Sequence, residues 1–205
     1  AEHTVTAQGV LAAAGRKANA DGLFGENFSL EMERGAIVGD VDGRTSVPHV
    51  YVIGDAKAKN IQLAHVASAQ GENAVAVITG KKPPLDMSVV PSCVYTTPEI
   101  ASVGLTEENA KAHGIAVKSG KYLTGANGKC LIEGTESGYV KLVTDKENGR
   151  ILGAQLVCPR ATDMVGELTL AIQKGLTAAD LSEVIHPHPT FSEMLFGAAE
   201  GLRPE

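Results

Sequence analysis

Two standard devices of nucleotide and redox chemistry are missing from this sequence. No two of its 23 glycines are separated by a single residue. The G-x-G-x-x-G turn that sets a dinucleotide pyrophosphate on a helix N-terminus therefore occurs nowhere. The three cysteines, Cys93, Cys130 and Cys158, stand 37 and 28 positions apart. That spacing excludes a C-x-x-C or C-x4-C redox pair, and the odd count argues against a disulfide framework, so a reducing compartment, the cytoplasm by default, is expected. Long apolar runs are missing too. The alanine-rich stretch Val10-Leu11-Ala12-Ala13-Ala14 is too short to span a bilayer, and the residues before it include Glu2 but no Lys or Arg, unlike a secretory signal. With a formal net charge of -6 and no basic stripe, neither nucleic acid nor membrane is an expected partner.

What is present describes a globular protein. The chain has 205 residues, 43% hydrophobic and 20% charged, enough to bury a real core and to form one large domain or one and a half. Val10–Ala14, closed by Gly15 and the basic pair Arg16-Lys17, predicts a buried strand running into a loop. Nothing upstream supplies the partner such a strand needs, so residue 1 is expected to be a cut inside a domain. Turns and the short alternating piece Ala36-Ile37-Val38 lead to Val50-Tyr51-Val52-Ile53, four strand formers ended by Gly54 and Asp55. Ligands of open parallel sheets sit beyond the carboxyl ends of strands. Asp55 there is placed to accept hydrogen bonds from polyol hydroxyls, and Gly54 to let a ligand approach the backbone, although a plain turn explains both equally well. A helix is expected from Leu63-Ala64-His65 through Gly80.

Lys81-Lys82-Pro83-Pro84 is a stiff connector, and a boundary is expected there, giving units 1–82 and 83–205. In the second unit Thr106 predicts an N-cap, with Glu107 and Glu108 in the first turn and Gly114 at the end. Strands are expected over 116–124, 139–145 and 151–157, the last two joined through Asn148-Gly149. Met164, Val165, Leu168, Ala171 and Ile172 recur at helical spacing, and Thr177 with Asp180 caps a short helix. This order predicts an α+β layer domain, an antiparallel sheet with helices on one face.

The densest chemistry lies in Ile185–Leu195, IHPHPTFSEML. Thr190 and Glu193 have the spacing of a capping box, with the Thr190 hydroxyl expected on the backbone N–H of Glu193. Pro189 holds His188 extended, outside the helix and one turn from Glu193, and the His188–Pro189 bond is expected to be cis. A carboxylate on one imidazole nitrogen would fix the tautomer and make the ring a ready proton acceptor; a turn histidine beside a capping glutamate is the plainer alternative. His186, His188 and Glu193 are also metal-ligand types, but Pro187 stiffens the loop and no fourth ligand is near, so no metal is expected.

H-x-H-P-T-x-S-E resembles the C-terminal active-site signature of the pyridine nucleotide-disulfide oxidoreductases, most closely their dihydrolipoamide dehydrogenase branch. VYVIGDA with the later LAH, VYTTPEIASVGLTEENA and GRILGAQLV resemble further family segments in the family's order. Gly15 and Arg16 match the A-x-G-R-x-P-N segment, with Ala18 in place of its proline. The resemblance implies a C-terminal dimerisation domain, preceded by an incomplete α/β piece of the NAD and FAD domains. It implies FAD and NAD as cofactors, with Gly15, Gly54, Asp55 and Ala64 at cofactor sites, Asp55 on the ribityl chain and the Ala64 N–H on the same cofactor. Lys57-Ala58-Lys59-Asn60 replaces the family's glycine and proline with one residue extra. It implies His188 as acid/base and Glu193 as its orienter, acting in trans across a homodimer. The partner implied is a lipoyl-bearing acyltransferase or carrier protein. Lacking the dithiol and both glycine fingerprints, the chain by itself is expected to be inactive. A non-catalytic dimerisation module, or another reductase such as glutathione reductase, is the alternative.

Overall fold

The computed structural model describes residues 3–135 and 137–203 and divides the chain into two compact units, Ala1–Leu85 and Asp86–Glu205. The break falls just after the Lys81–Pro84 connector. Among the described residues no helix is long and apolar enough to cross a membrane.

The first unit has little regular structure. Strands β1 (Met32–Glu33) and β2 (Ala36–Ile37) form a minimal antiparallel hairpin, turned by Arg34 and Gly35, both at positive φ. Ala20, Ile37 and Val52 make a small core, with Phe24, Leu30 and Ala56 against it. Gly54–Ala56 is a single 3-10 turn, and helix α1 (Ala64–Ile78) runs to a glycine stop at Gly80, φ +72°. Two expected strands do not form. Val10–Ala14 is irregular, with Val10 and Leu11 exposed, and of Val50–Ile53 only Tyr51 makes an isolated bridge, to Arg44. Strand formers need neighbours to fill their hydrogen-bonding edges, and among the described residues of this unit the one sheet is the two-stranded β1–β2 hairpin, which neither stretch joins.

The second unit is the α+β domain. Five antiparallel strands stand in the order β3-β4-β7-β6-β5: β3 (Ser92–Val94), β4 (Ile100–Gly104), β5 (Val117–Leu123), β6 (Tyr139–Asp145) and β7 (Ile151–Val157). Period-2 alternation places Ala101, Leu156 and Val140 in one cross-strand row, and Val103, Ala154 and Leu142 in the next, all on one buried face. Helices α3 (Gly128–Glu133), α4 (Ala161–Gln173), α5 (Ala178–Ser182) and α6 (Glu193–Glu200) cover that face. They contribute Cys130, Leu168, Leu181, Met194 and Leu195 to the same core. Each fully buried leucine stabilises by about 1.5–3 kcal/mol. The short α2 (Glu107–Ala112) is the exception. Its Glu107 accepts from Ser119 (2.7 Å) and pairs with Lys141, both on the opposite face of the sheet.

Helix α6, which begins at Glu193, sits unusually close to β5. A Cβ on Gly120 would stand 2.4 Å from the Ala198 carbonyl, and one on Gly197 would lie 2.2 Å from the Tyr122 ring. Two glycines thus let the helix settle on the strand and so fix where its first residue points.

Candidate active site

The site is built on the loop between α5 and α6. Upstream, α5 is held by a full capping box: the Thr177 hydroxyl accepts from Asp180 N (3.1 Å), and Thr177 N donates to Asp180 Oδ2 (2.7 Å). At its far end Arg203 donates to the Ser182 hydroxyl and carbonyl, each at 2.6 Å.

His188 and Glu193 meet. His188 Nδ1 lies 2.8 Å from Glu193 Oε1, the His188–Pro189 peptide is cis, and the His188 side chain is 76% exposed. The second carboxylate oxygen, Oε2, accepts from Thr190 N at 2.8 Å. That backbone donor first, and the His188 ring second, hold the Glu193 carboxyl below its ordinary value of 4.5. An ionised carboxylate only accepts, so the shared proton sits on Nδ1 and leaves the Nε2 lone pair pointing away from Glu193.

The expected capping box is only half made. Glu193 reaches back to Thr190 N, but the Thr190 hydroxyl donates to the Pro187 carbonyl (2.7 Å) and shares a hydrogen bond with Ser192 Oγ (2.9 Å). The helix accordingly starts at Glu193, with Ser192 as N-cap and no side-chain cap. The nearer Pro187 carbonyl, presented by the tight H-P-H-P turn, wins the hydroxyl.

His186 is turned elsewhere. Its side chain is buried, with Nδ1 3.0 Å from the Val184 carbonyl, Nε2 3.2 Å from Glu167 Oε1 on α4, and its ring 6.0 Å from that of Phe196. Both nitrogens face acceptors of the protein itself. Among the described residues no group of three or more His, Cys, Asp or Glu gathers as a metal site requires.

Two contributors escaped the sequence reading. Asn127, 2% exposed, donates from Nδ2 to the Thr190 carbonyl at 3.0 Å, and a Cβ on Gly128 would lie 3.9 Å from His188 Cε1. The only local signal was Asn ahead of a helix, a cap pattern that does not reveal a partner 63 positions on.

In the first unit, Asp55 lines a cleft of about 430 Å³ together with Arg16, Lys17, Arg34, Lys57 and Lys59. Asp55 is half-exposed, and its Oδ2 is 3.4 Å from Arg16 Nη1; Arg16 also donates to the Gln62 carbonyl. Gly15, at φ +138° with open space around it, directly precedes Arg16. Gly54 serves its own fold: a Cβ there would meet Ala67 at 2.8 Å, its N–H donates to Gln70 Oε1, and its carbonyl accepts from Asn60 Nδ2, both at 2.8 Å. Ala64 opens α1, and its N–H has no acceptor among the described residues. A solvent-facing carboxylate and a free helix-start N–H suit a polar ligand bearing both hydroxyls and acceptor oxygens.

All three cysteines are free, and burial pushes each thiol up, Cys158 to about 12.

Residues 90–199 match the family model of the pyridine nucleotide-disulphide oxidoreductase dimerisation domain. The chain belongs to the pyridine nucleotide-disulphide oxidoreductases. Residues 1–71 match a second model of that family. A dihydrolipoyl dehydrogenase of Bacillus subtilis is 44% identical over 197 residues, covering 96% of this chain and 41% of the relative. One from Halobacterium salinarum is 44% identical over 192 residues, 93% of this chain and 40% of the relative. The chain thus spans about two fifths of the length of these family members. Among solved family structures, LpdA of Mycobacterium tuberculosis superposes with a TM-score of 0.83 at 26% identity, over 92% of this chain and 41% of its own. The HOCl-induced flavoprotein disulfide reductase RclA of Escherichia coli gives 0.84 at 27% identity, over 92% and 44%.

Proposed function

We propose that this chain is the C-terminal portion of a flavin-dependent dihydrolipoyl dehydrogenase, which oxidises protein-bound dihydrolipoamide with NAD as acceptor. The observation that carries the reading is the 2.8 Å contact of His188 Nδ1 with Glu193 Oε1 beside an exposed ring. A thiol with the reference pKa of a cysteine, near 8.5, is mostly protonated at neutral pH. His188 Nε2 takes that proton, and Glu193 stabilises the imidazolium that results. The thiolate left behind is the nucleophile for a disulfide that the rest of the enzyme supplies. His188 acts in trans, on the active site of the other subunit of a homodimer, and the lipoyl group arrives on an acyltransferase or carrier protein in the cytoplasm.

Asp55 and the Ala64 N–H are the residues we assign to FAD, with Asp55 accepting from the polyol chain, and Gly15 and Gly54 shape the turns beside them. Bound FAD supplies the redox centre through which electrons pass to NAD. Without a dithiol or a glycine fingerprint among its residues, the chain by itself is inactive in this reading. The dehydrogenase assignment is favoured over another disulfide reductase because relatives 44% identical over 93–96% of this chain bear that name. The test is His188→Gln in the assembled enzyme. Loss of a general base lowers kcat by about 10²–10⁴-fold, with binding of NAD unchanged. An unaltered kcat would sink the assignment of His188. If the 205-residue chain itself takes up no flavin absorbance from added FAD, in isolation it is an interface piece only.

A further inference from the structure

Four groups in sequence connect the interior of the second unit to the exposed ring of His188. Asn127 Nδ2 donates to the Thr190 carbonyl (3.0 Å), Thr190 N donates to Glu193 Oε2 (2.8 Å), and Glu193 Oε1 faces His188 Nδ1 (2.8 Å). Thr190 is the joint of this chain, since its N–H and its carbonyl flank a single pair of backbone dihedrals. Anchoring the carbonyl therefore narrows the directions open to the N–H that holds Glu193, since only one φ and one ψ separate the two peptide planes. Among the described residues no other donor reaches the Thr190 carbonyl. Asn127 in turn is held rigid: it is buried, its Oδ1 caps α3 by accepting from Cys130 N (2.9 Å), and the following Gly128 lies beside the His188 ring.

We propose that Asn127 is a positioning residue for the proton acceptor, its amide setting Thr190 so that Glu193 offers one carboxylate oxygen to His188. The proposal rests on the reading of His188 given above and extends it to a residue that touches neither substrate nor ring nitrogen. Capping alone does not explain the choice of side chain. Ser, Asp and Asn cap helices about equally well, but Asp has no donor and Ser carries both functions on one oxygen, so of these only Asn offers an acceptor to α3 and a donor to the loop from two separate atoms.

The tautomer of His188, read from ring ¹⁵N shifts of this chain at alkaline pH, tests it. Asn127→Asp keeps the acceptor that caps α3 and removes the donor to Thr190, and Asn127→Ser keeps the cap but withdraws the donor from the Nδ2 position; Glu193→Ala is the reference for a ring with no orienter. The wild-type ring is expected in the Nδ1–H form. Loss of one net hydrogen bond shifts such a ratio by about three- to tenfold. Both Asn127 variants should move at least threefold toward the Glu193→Ala ratio, while the melting temperature of the serine variant stays near that of wild type. An unchanged ratio in Asn127→Asp, with Glu193→Ala shifted, overturns the proposal and leaves Asn127 as a helix cap only. An unchanged ratio in Glu193→Ala overturns the underlying His188–Glu193 reading instead. If serine leaves a cavity that unfolds the chain, Asn127→Asp by itself carries both outcomes.

Discussion

At the scale of single residues, the chemistry rests on carboxylates that the fold holds ionised. Glu193 is lowered by the Thr190 N–H and by His188, and Glu99 by the Thr162 hydroxyl, 2.6 Å from its Oε2. A carboxyl whose folded pKa lies below its unfolded value contributes stability that is fully present above the unfolded value and is lost as pH falls through the folded one. The melting temperature should therefore fall as pH drops below the ordinary 4.5 of a glutamate. Glu99→Gln and Glu193→Gln should each flatten that fall when melting is followed across a pH series; an acid limb of unchanged slope in both would contradict these hydrogen bonds. His188 and Glu193 were legible because they lie five positions apart, and a proline and a turn suffice to bring them together. Asn127 was not, because its partner is distant in sequence and only the packed sheet and helices bring it near.

At the scale of elements, legibility followed hydrogen-bond closure. β6 and β7 occupy the expected spans 139–145 and 151–157, since each has a neighbour on both sides and a turn between them ending in Gly149 at φ +73°. The capped helices α2 and α5 begin where Thr106 and Thr177 predict, because a cap is a local contract between side chain and backbone. Helix α4 shows what local reading misses: its N-cap Arg160 makes no side-chain cap, and Glu99, from the edge of β4, accepts from Thr162 N at 2.9 Å instead. The seating of α6 is the element-scale feature that matters most to the site. Gly197→Ala would drive a methyl group into the Tyr122 ring, 2.2 Å away, and force the helix off β5. Overpacking of this kind costs about 1–3 kcal/mol. Urea unfolding of the variant should show a lower midpoint, and because Glu193 opens the same helix, the His188 tautomer should shift with it. A midpoint equal to wild type would mean that the close approach of α6 to β5 contributes nothing.

At the scale of the whole molecule, the two units differ in how much of their structure is their own. The second closes a five-stranded sheet under four helices around one core. Among its described residues the first leaves Val10, Leu11 and Val41 exposed, gathers a core cluster of three buried residues, and has just the two-stranded β1–β2 sheet. Yet the second unit is not sealed either: Leu131, Ile132, Leu170, Val184 and Ile185 stay exposed, Ile185 at 95% and next to the histidine loop. Apolar side chains left uncovered in a domain of the dimerisation family are what a homodimer would bury. A two-fold axis then gives His188 a choice between its own subunit and its partner, and mixed dimers decide which. One subunit type of the assembled enzyme carries His188→Gln and the other lacks the redox cysteines; each homodimer is then inactive. If His188 works in trans, every heterodimer regains one complete site, and random pairing of equal amounts returns about a quarter of wild-type activity. If His188 works within its own subunit, no heterodimer holds a ring and a dithiol together, and mixing returns none. Activity that rises on subunit exchange, and only after it, therefore tests the reach of the exposed ring and the two-fold arrangement in a single measurement.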